Sequence, residues 1–438
     1  TIQDIKTHPF FSRLLKNMAV AFIGESGAAV LGLLTTIAAI KTIGNKSYGI
    51  LMVAYSYVLI IDTLVNFQSW QGLISFGGKA LEEKNYMRLQ QVIKIGCIID
   101  FATAVLGTLV SFMLASFVGQ VLNWNEDVII GIYYLSFFIL FNFTGTSIGV
   151  IRLFDKFKYY STSRILGGAL KLIGVIIACW FLDAGLKGAF IAYLIGDSLG
   201  FLYLFIMFVS VIIKDKRISL KGIIECSVKD IWKEFFSFTF WTSMTTSVDI
   251  PVQQCDVLIL SSISYEVVAV YKVYKQIGQA LSKLTIPLNQ AVLPQFSLMI
   301  ARGEAKKCYI YLRQLKNKTL KILIPIALAM TAVSLVGFWY TLDLIYIQYW
   351  YVLLLYLLAR SFALSYTSIH PLFIAMRQVR KNFIYTLIAN MLYLVFAILL
   401  VRQIGILGSV IAMFIEYIVI IYLKKATIER LLVSAGPA

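Results

Sequence analysis

Five polar residues interrupt a largely apolar stretch near the middle of the chain: Lys272, Lys275, Gln276, Gln279 and Lys283. Their spacing of i, i+3, i+4, i+7 and i+11 puts them on one stripe of an α-helix. Three ammonium groups on one stripe suit the binding of phosphate or acidic-sugar oxygens, because charge-assisted hydrogen bonds are strong where water is scarce. Arg360 stands in another apolar stretch, with Tyr356 and Thr367 on its side of a helix. The competing reading is that these cations pair with carboxylates on neighbouring helices and hold the helices together. Lys171, two turns inside its own apolar stretch, is expected to snorkel to an interface.

The acidic counterparts are fewer. Asp249, Gln253 and Asp256 fall at i, i+4 and i+7 on one face, with Pro251 between them. Proline removes a backbone donor and frees carbonyls that can accept bonds or coordinate a cation. Glu25 and Asp62 also lie in apolar surroundings, Asp62 with Tyr55 and Asn66 nearby. Asp249, Asp256, Glu25 and Asp62 are candidates for H+ or Na+ coupling. For Asp256 and Asp249 the alternative is a salt bridge to Lys272 or Lys275. Asp100, Asp197 and Glu416 are expected to face helix partners. His370, followed by Pro371, reads as a buried, hydrogen-bonded histidine beside a kink.

Other chemistries find little support. The five cysteines (Cys97, Cys179, Cys226, Cys255, Cys308) form no CxxC pair, and the chain holds two histidines. Metal and disulfide chemistry are therefore not expected, nor is a cofactor. An enzyme would have to be built almost without His.

The elements that must position these residues are membrane spans. The chain has 438 residues, 60% hydrophobic and 14% charged, where a soluble domain would carry nearer ~25% charge. A bilayer absorbs that apolar excess in runs of roughly 20 residues. Twelve such runs are expected at 17–40, 48–75, 93–118, 128–151, 163–182, 188–213, 235–262, 265–299, 319–340, 344–375, 383–402 and 405–423. The eighth and tenth are too long for one straight crossing. Trp232, Phe235 and Phe236 beside Lys229 and Lys233 read as an interfacial helix.

The net charge of +17 fits either nucleic-acid binding or cytoplasmic loops, and its distribution decides between them. Alternate loops hold 30 basic residues on one side and four on the other: Lys41, Lys46, Lys187 and Arg402. The positive-inside rule then puts both termini in the cytoplasm and leaves no role for nucleic acid.

The chain also repeats itself. Ser47-Tyr48 through Tyr57 parallels Ser264-Tyr265 through Tyr274, and Tyr86-Met87-Arg88-Leu89-Gln90-Gln91 parallels Tyr309 through Gln314. Two six-span halves follow, 1–213 and 214–438. An even number of spans per half relates them by a pseudo-two-fold along the membrane normal.

Three short motifs carry a family resemblance. Thr42-Ile43-Gly44-Asn45-Lys46-Ser47-Tyr48-Gly49 resembles the G-x-x-x-Y-G turn of polysaccharide exporters. So do Val292-Leu293-Pro294-Gln295-Phe296-Ser297 followed by Arg302-Gly303-Glu304, and Asp256 to Leu260 ahead of Val268-Ala269-Val270-Tyr271. Together they resemble the Wzx-type flippases of the multidrug/oligosaccharidyl-lipid/polysaccharide exporter superfamily. The resemblance implies an all-α polytopic membrane protein whose two six-helix bundles form a V around a central cavity. It implies alternating access and an undecaprenyl-pyrophosphate-linked oligosaccharide, moved from the inner to the outer leaflet for O-antigen-type surface polysaccharide, beside membrane lipids and polysaccharide assembly proteins. Lys272, Lys275, Lys283, Arg360 and Gln279 are then the candidate substrate residues.

The main rival is a cation-coupled drug or metabolite antiporter on the same fold, which would want an acidic or apolar cavity. A membrane polymerase or glycosyltransferase would need a sizeable outward loop, and the outward loops are short. A non-catalytic assembly partner leaves the polar stripe without a purpose.

Overall fold

The structure is a computed structural model. It describes residues 9–67, 69–285, 288, 292, 295–296, 298–300 and 302–434; Leu293, Pro294 and Ser297 of the second motif lie outside the described residues. The chain forms two compact units, Thr1–Ser247 and Val248–Ala438. Among the described residues every regular element is helical.

The first unit opens with α1 (Pro9–Val65), 57 residues long. At about 1.5 Å per residue it is far longer than one crossing. Gly44 breaks it with φ 77°, a left-handed conformation that glycine adopts without a Cβ clash. The two arms are the first and second spans, and the Thr36 and Tyr48 hydroxyls meet across the break at 3.0 Å. The second span continues through α2 (Ser69–Gly72), a π-turn (Leu73–Gly77) and α3 (Gly78–Glu82). Then come α4 (Tyr86–Val121), α5 (Glu126–Phe141), α6 (Gly145–Leu153) and α7 (Phe157–Val175). A π-turn (Ile176–Phe181), α8 (Gly185–Lys214), α9 (Leu220–Glu225) and α10 (Trp232–Ser247) complete the unit. Starts are set by local chemistry: Asn85 accepts from the Arg88 amide to cap α4, and Asn125 accepts from Val128 to cap α5. Such caps satisfy amides that the first helical turn leaves unbonded.

Segment 214–247, placed with the second half by the sequence division, packs with the first unit. Ile223, Ile231 and Phe235 share one buried cluster with Leu73, Leu89 and Ile212. Phe235 is fully buried, while Trp232 and Phe236, read with it as an interfacial helix, are 38% and 39% exposed. One face of α4 clamps the incoming chain. Arg88 pairs with Asp230 at 2.9 Å, the Gln91 amide donates to the Ser227 carbonyl at 2.6 Å, and Lys94 donates to the carbonyls of Ile224 and Cys226 at 2.5 and 2.8 Å.

The second unit holds a π-turn (Pro251–Cys255), α11 (Asp256–Leu260), α12 (Tyr265–Lys283) and α13 (Ala305–Thr341). The tenth span is built from three pieces, α14 (Ile345–Gln348), α15 (Trp350–Ser365) and α16 (Ile369–Ala375), followed by α17 (Val379–Ile404) and α18 (Ile406–Ser434). The over-long tenth run is thus a broken helix. Ser264 caps α12 by accepting from the Glu266 amide.

Nine helices among the described residues are long and apolar enough to cross a membrane, the first of them, Ala19–Glu82, containing both arms around Gly44. Their outer faces are apolar: Phe101, Met113 and Phe117 on α4 are 59%, 78% and 63% exposed. Such a stripe is unfavourable in water and at home in lipid. The protein is a multi-pass membrane protein.

Candidate functional site

In the second unit the polar stripe divides along its length. Lys272 and Lys275 are buried, Lys283 is partly covered, and Gln279 is exposed. Lys275 reaches across to the π-turn that Pro251 opens. Its ammonium pairs with Asp256 Oδ2 at 2.5 Å and donates to the carbonyls of Gln253 and Val252 at 2.5 and 3.4 Å. The carbonyls released where the helix widens therefore find a cation from α12. Asp256 is 1% exposed, so the pairing read as an alternative at the sequence level is the one formed.

Lys272 differs from its neighbour. Its ammonium donates to Gln254 Oε1 at 3.3 Å, and among the described residues it joins no ion pair. Arg360 on α15 bonds neutral hydroxyls: its Nε donates to Ser282 Oγ at 3.0 Å, and its Nη1 donates to the Tyr417 hydroxyl. Tyr356, one turn away, is buried. Lys272 and Lys275 thus stand beside Asp256, whereas the carboxylate that acts on Arg360 is the buried Glu416 of α18.

Asp249 stands apart from this group. It is exposed on its own segment, and the carbonyl of the adjoining Val248 accepts from the Asn390 amide at 2.5 Å. His370 is exposed and lies 3.3 Å from Asn382 Oδ1; it is not the buried histidine expected from the sequence.

The first unit carries a charged cluster of Lys171, Asp197, Glu25 and Arg164, in which Asp197 faces a helix partner as expected. Lys171 does not snorkel; its ammonium pairs with Asp197 at 2.8 Å, and Asp197 also accepts from the Tyr55 hydroxyl at 3.0 Å. The ammonium lies over the rings of Tyr193 and Tyr55, 4.6 and 5.0 Å from their centroids. Arg164, one of the residues counted with the basic loops, is on α7 and pairs with Glu25 at 3.3 Å; the Tyr160 hydroxyl donates to Glu25 at 3.0 Å. Arg164 and Lys171 stand seven residues apart on one face of α7. They line a cavity of about 150 Å³ with Thr35, Tyr55 and Asp197. Glu25 is accordingly an ion-pair partner in this structure.

Asp62 is held by amides. It accepts from Asn142 Nδ2 at 2.8 Å and from Asn66 Nδ2 at 3.2 Å, and among the described residues no cation pairs with it. Asp100 is fully buried and accepts from the Thr146 amide at 2.5 Å.

Comparison with known proteins places this arrangement. Inner membrane protein YghQ of Escherichia coli (strain K12) is 24% identical over 177 residues, which cover 40% of this chain and 49% of that protein. The match spans about half the length of that relative. Two solved structures share the fold. An inward-facing multidrug resistance MATE family transporter of the MOP superfamily superposes with a TM-score of 0.74 at 14% identity, covering 95% of this chain and 98% of that one. Lipid II flippase MurJ, in an inward closed conformation, gives 0.72 at 16% identity over 94% and 87% of the two chains. The family model described as polysaccharide biosynthesis protein matches residues 14–300. On that match, across an all-helical chain with the fold of MOP transporters, the protein belongs to the polysaccharide biosynthesis protein family.

Proposed function

We propose that this protein is a flippase that moves an undecaprenyl-pyrophosphate-linked oligosaccharide from the cytoplasmic to the outer leaflet of a bacterial inner membrane by alternating access. The observation that carries the reading is the cationic excess in the second unit. Lys272 is 9% exposed and its polar partner is the neutral amide of Gln254. An ammonium held away from water without an ion pair is costly, and a pyrophosphate oxygen offsets that cost on arrival. Arg360, whose hydrogen bonds go to neutral hydroxyls, adds a second cation, while Lys283 and Gln279 extend the stripe. Family membership and the relative named as an inner membrane protein support the same reading, as does the basic bias of the inward loops, which puts both termini in the cytoplasm. The product is O-antigen-type surface polysaccharide, with assembly proteins as partners, and transport is coupled to H+ or Na+ through Asp62 or Asp249.

A cation-coupled drug antiporter is the second reading, favoured by the likeness to the multidrug transporter. It accounts less well for Lys272, which repels a cationic drug.

Complementation tests both. A strain lacking its O-antigen flippase receives wild type, Lys272→Ala or Arg360→Ala at matched membrane levels. Surface polysaccharide restored by wild type and lost in the variants supports the reading. No restoration, together with raised resistance to cationic drugs, moves the assignment to the antiporter.

A further inference from the structure

Arg152 is a partly buried cation of the first unit. It lies in the last turn of α6, and its guanidinium carbon is 4.6 Å from the Trp70 ring centroid and 5.3 Å from that of Tyr160. Its Nε is buried with no hydrogen-bond acceptor. Among the described residues it forms no ion pair, whereas its neighbours Arg164 and Lys171 are each matched to a carboxylate.

The cage is built by two close approaches, one between α2 and α6 and one between α1 and α7. Gly149, one turn before Arg152, lets α2 lie against α6. A Cβ there would stand 3.2 Å from the Trp70 Cα and 2.9 Å from the Leu73 Cβ. Gly24 does the same for α1 and α7, where a Cβ would meet the Ser161 Cβ at 2.5 Å. Ser161 also donates to the Val20 carbonyl at 2.8 Å. The Tyr160 ring is thereby fixed, with its hydroxyl on Glu25 and its ring toward Arg152.

Aromatic faces stabilise a guanidinium by cation–π attraction and accept none of its N–H donors. The planar fork keeps its hydrogen-bonding capacity, and that fork matches the oxygens of phosphate in pairs. A neutral ligand would leave the charge unmatched, and a cationic ligand would be repelled. By the loop charges, this cage sits toward the cytoplasmic end of the unit, where a phosphorylated lipid would enter.

We propose that Arg152, held between Trp70 and Tyr160, receives the phosphate or pyrophosphate of a lipid-borne substrate. The proposal rests on the flippase reading and adds a second anion site, in the first unit. The lipid-linked pyrophosphate and free pyrophosphate share the recognised chemistry, so the test separates them.

Full-length protein in detergent is titrated with farnesyl pyrophosphate, inorganic pyrophosphate and farnesol, and binding is read by thermophoresis. Wild type binds farnesyl pyrophosphate, and Arg152→Gln weakens it ten-fold or more while leaving farnesol unchanged. Arg152→Lys, which keeps charge without the fork, gives an intermediate loss, as does Trp70→Leu. These two variants keep the test open if Arg152→Gln fails to fold. Inorganic pyrophosphate bound as tightly as the farnesyl compound, with the same dependence on Arg152, keeps the anion site but shifts its occupant to a soluble phosphate. Wild-type binding that survives Arg152→Gln within two-fold overturns the site and leaves the flippase reading intact. Absence of farnesyl pyrophosphate binding by wild type overturns both.

Discussion

The Lys275 ammonium and the Asp256 carboxylate meet at 2.5 Å in an environment that leaves Asp256 1% exposed. Removing one partner alone strands a buried charge. Lys275→Met is expected to destabilise the protein by about 3–5 kcal/mol, whereas Lys275→Met with Asp256→Leu should cost far less or nothing. Thermal unfolding of detergent-solubilised variants reads the difference. A single variant that melts with wild type would mean the pair is dispensable.

Lys171 and Asp197 form the corresponding pair of the first unit, with Tyr55 donating to the same carboxylate. Tyr55→Phe removes a hydrogen bond to a charged group and is expected to lower stability by about 1.5–3 kcal/mol. Lys171→Met should cost more than Tyr55→Phe. The reverse order in a melting series would argue that the ammonium is hydrated rather than paired.

Arg360 bonds Ser282 and Tyr417 from different nitrogens of one fork. Lysine cannot span both. Arg360→Lys is therefore expected to lower transport to a few per cent of wild type at equal expression, measured as surface polysaccharide in the complemented strain. Full activity in the lysine variant would reduce the role of this residue to charge alone.

Asp62, held by the amides of Asn66 and Asn142, is the candidate coupling carboxylate with no cation paired to it among the described residues. Asp62→Asn keeps the shape and removes the titratable group. In proteoliposomes, wild-type transport should quicken under an imposed proton or sodium gradient and the variant should be indifferent to it. If the variant still responds, coupling lies elsewhere, with Asp249 the next residue to change.

What the sequence disclosed follows the range of its signals. Spans are local runs of apolar residues, so the helical membrane architecture was legible, and the spacing of Lys272 and Lys275 placed both on one stripe of one helix. Interhelical pairing has no such period. Lys171 looks like a snorkelling residue until Asp197 is brought beside it from the next span. Arg164 was grouped with loop charges because its partner, Glu25, lies on the first span. The cage around Arg152 needs Trp70 and Tyr160 from two other helices, and only the third dimension joins them. The same limit hid the burial of Phe235, whose basic neighbours Lys229 and Lys233 suggested an interfacial helix while its ring packs against Phe76 at 5.6 Å.

The clamp of Arg88, Gln91 and Lys94 on residues 224–230 has a practical corollary for cutting the chain. A protease nick at Arg217 would sever the polypeptide between α8 and α9 without releasing the downstream fragment. That fragment would stay moored by its own first thirty residues, through the clamp and the burial of Ile223, Ile231 and Phe235. The gene could accordingly be divided at this point and its two products expressed separately, with reassembly in the membrane depending on contacts that the upstream piece already presents.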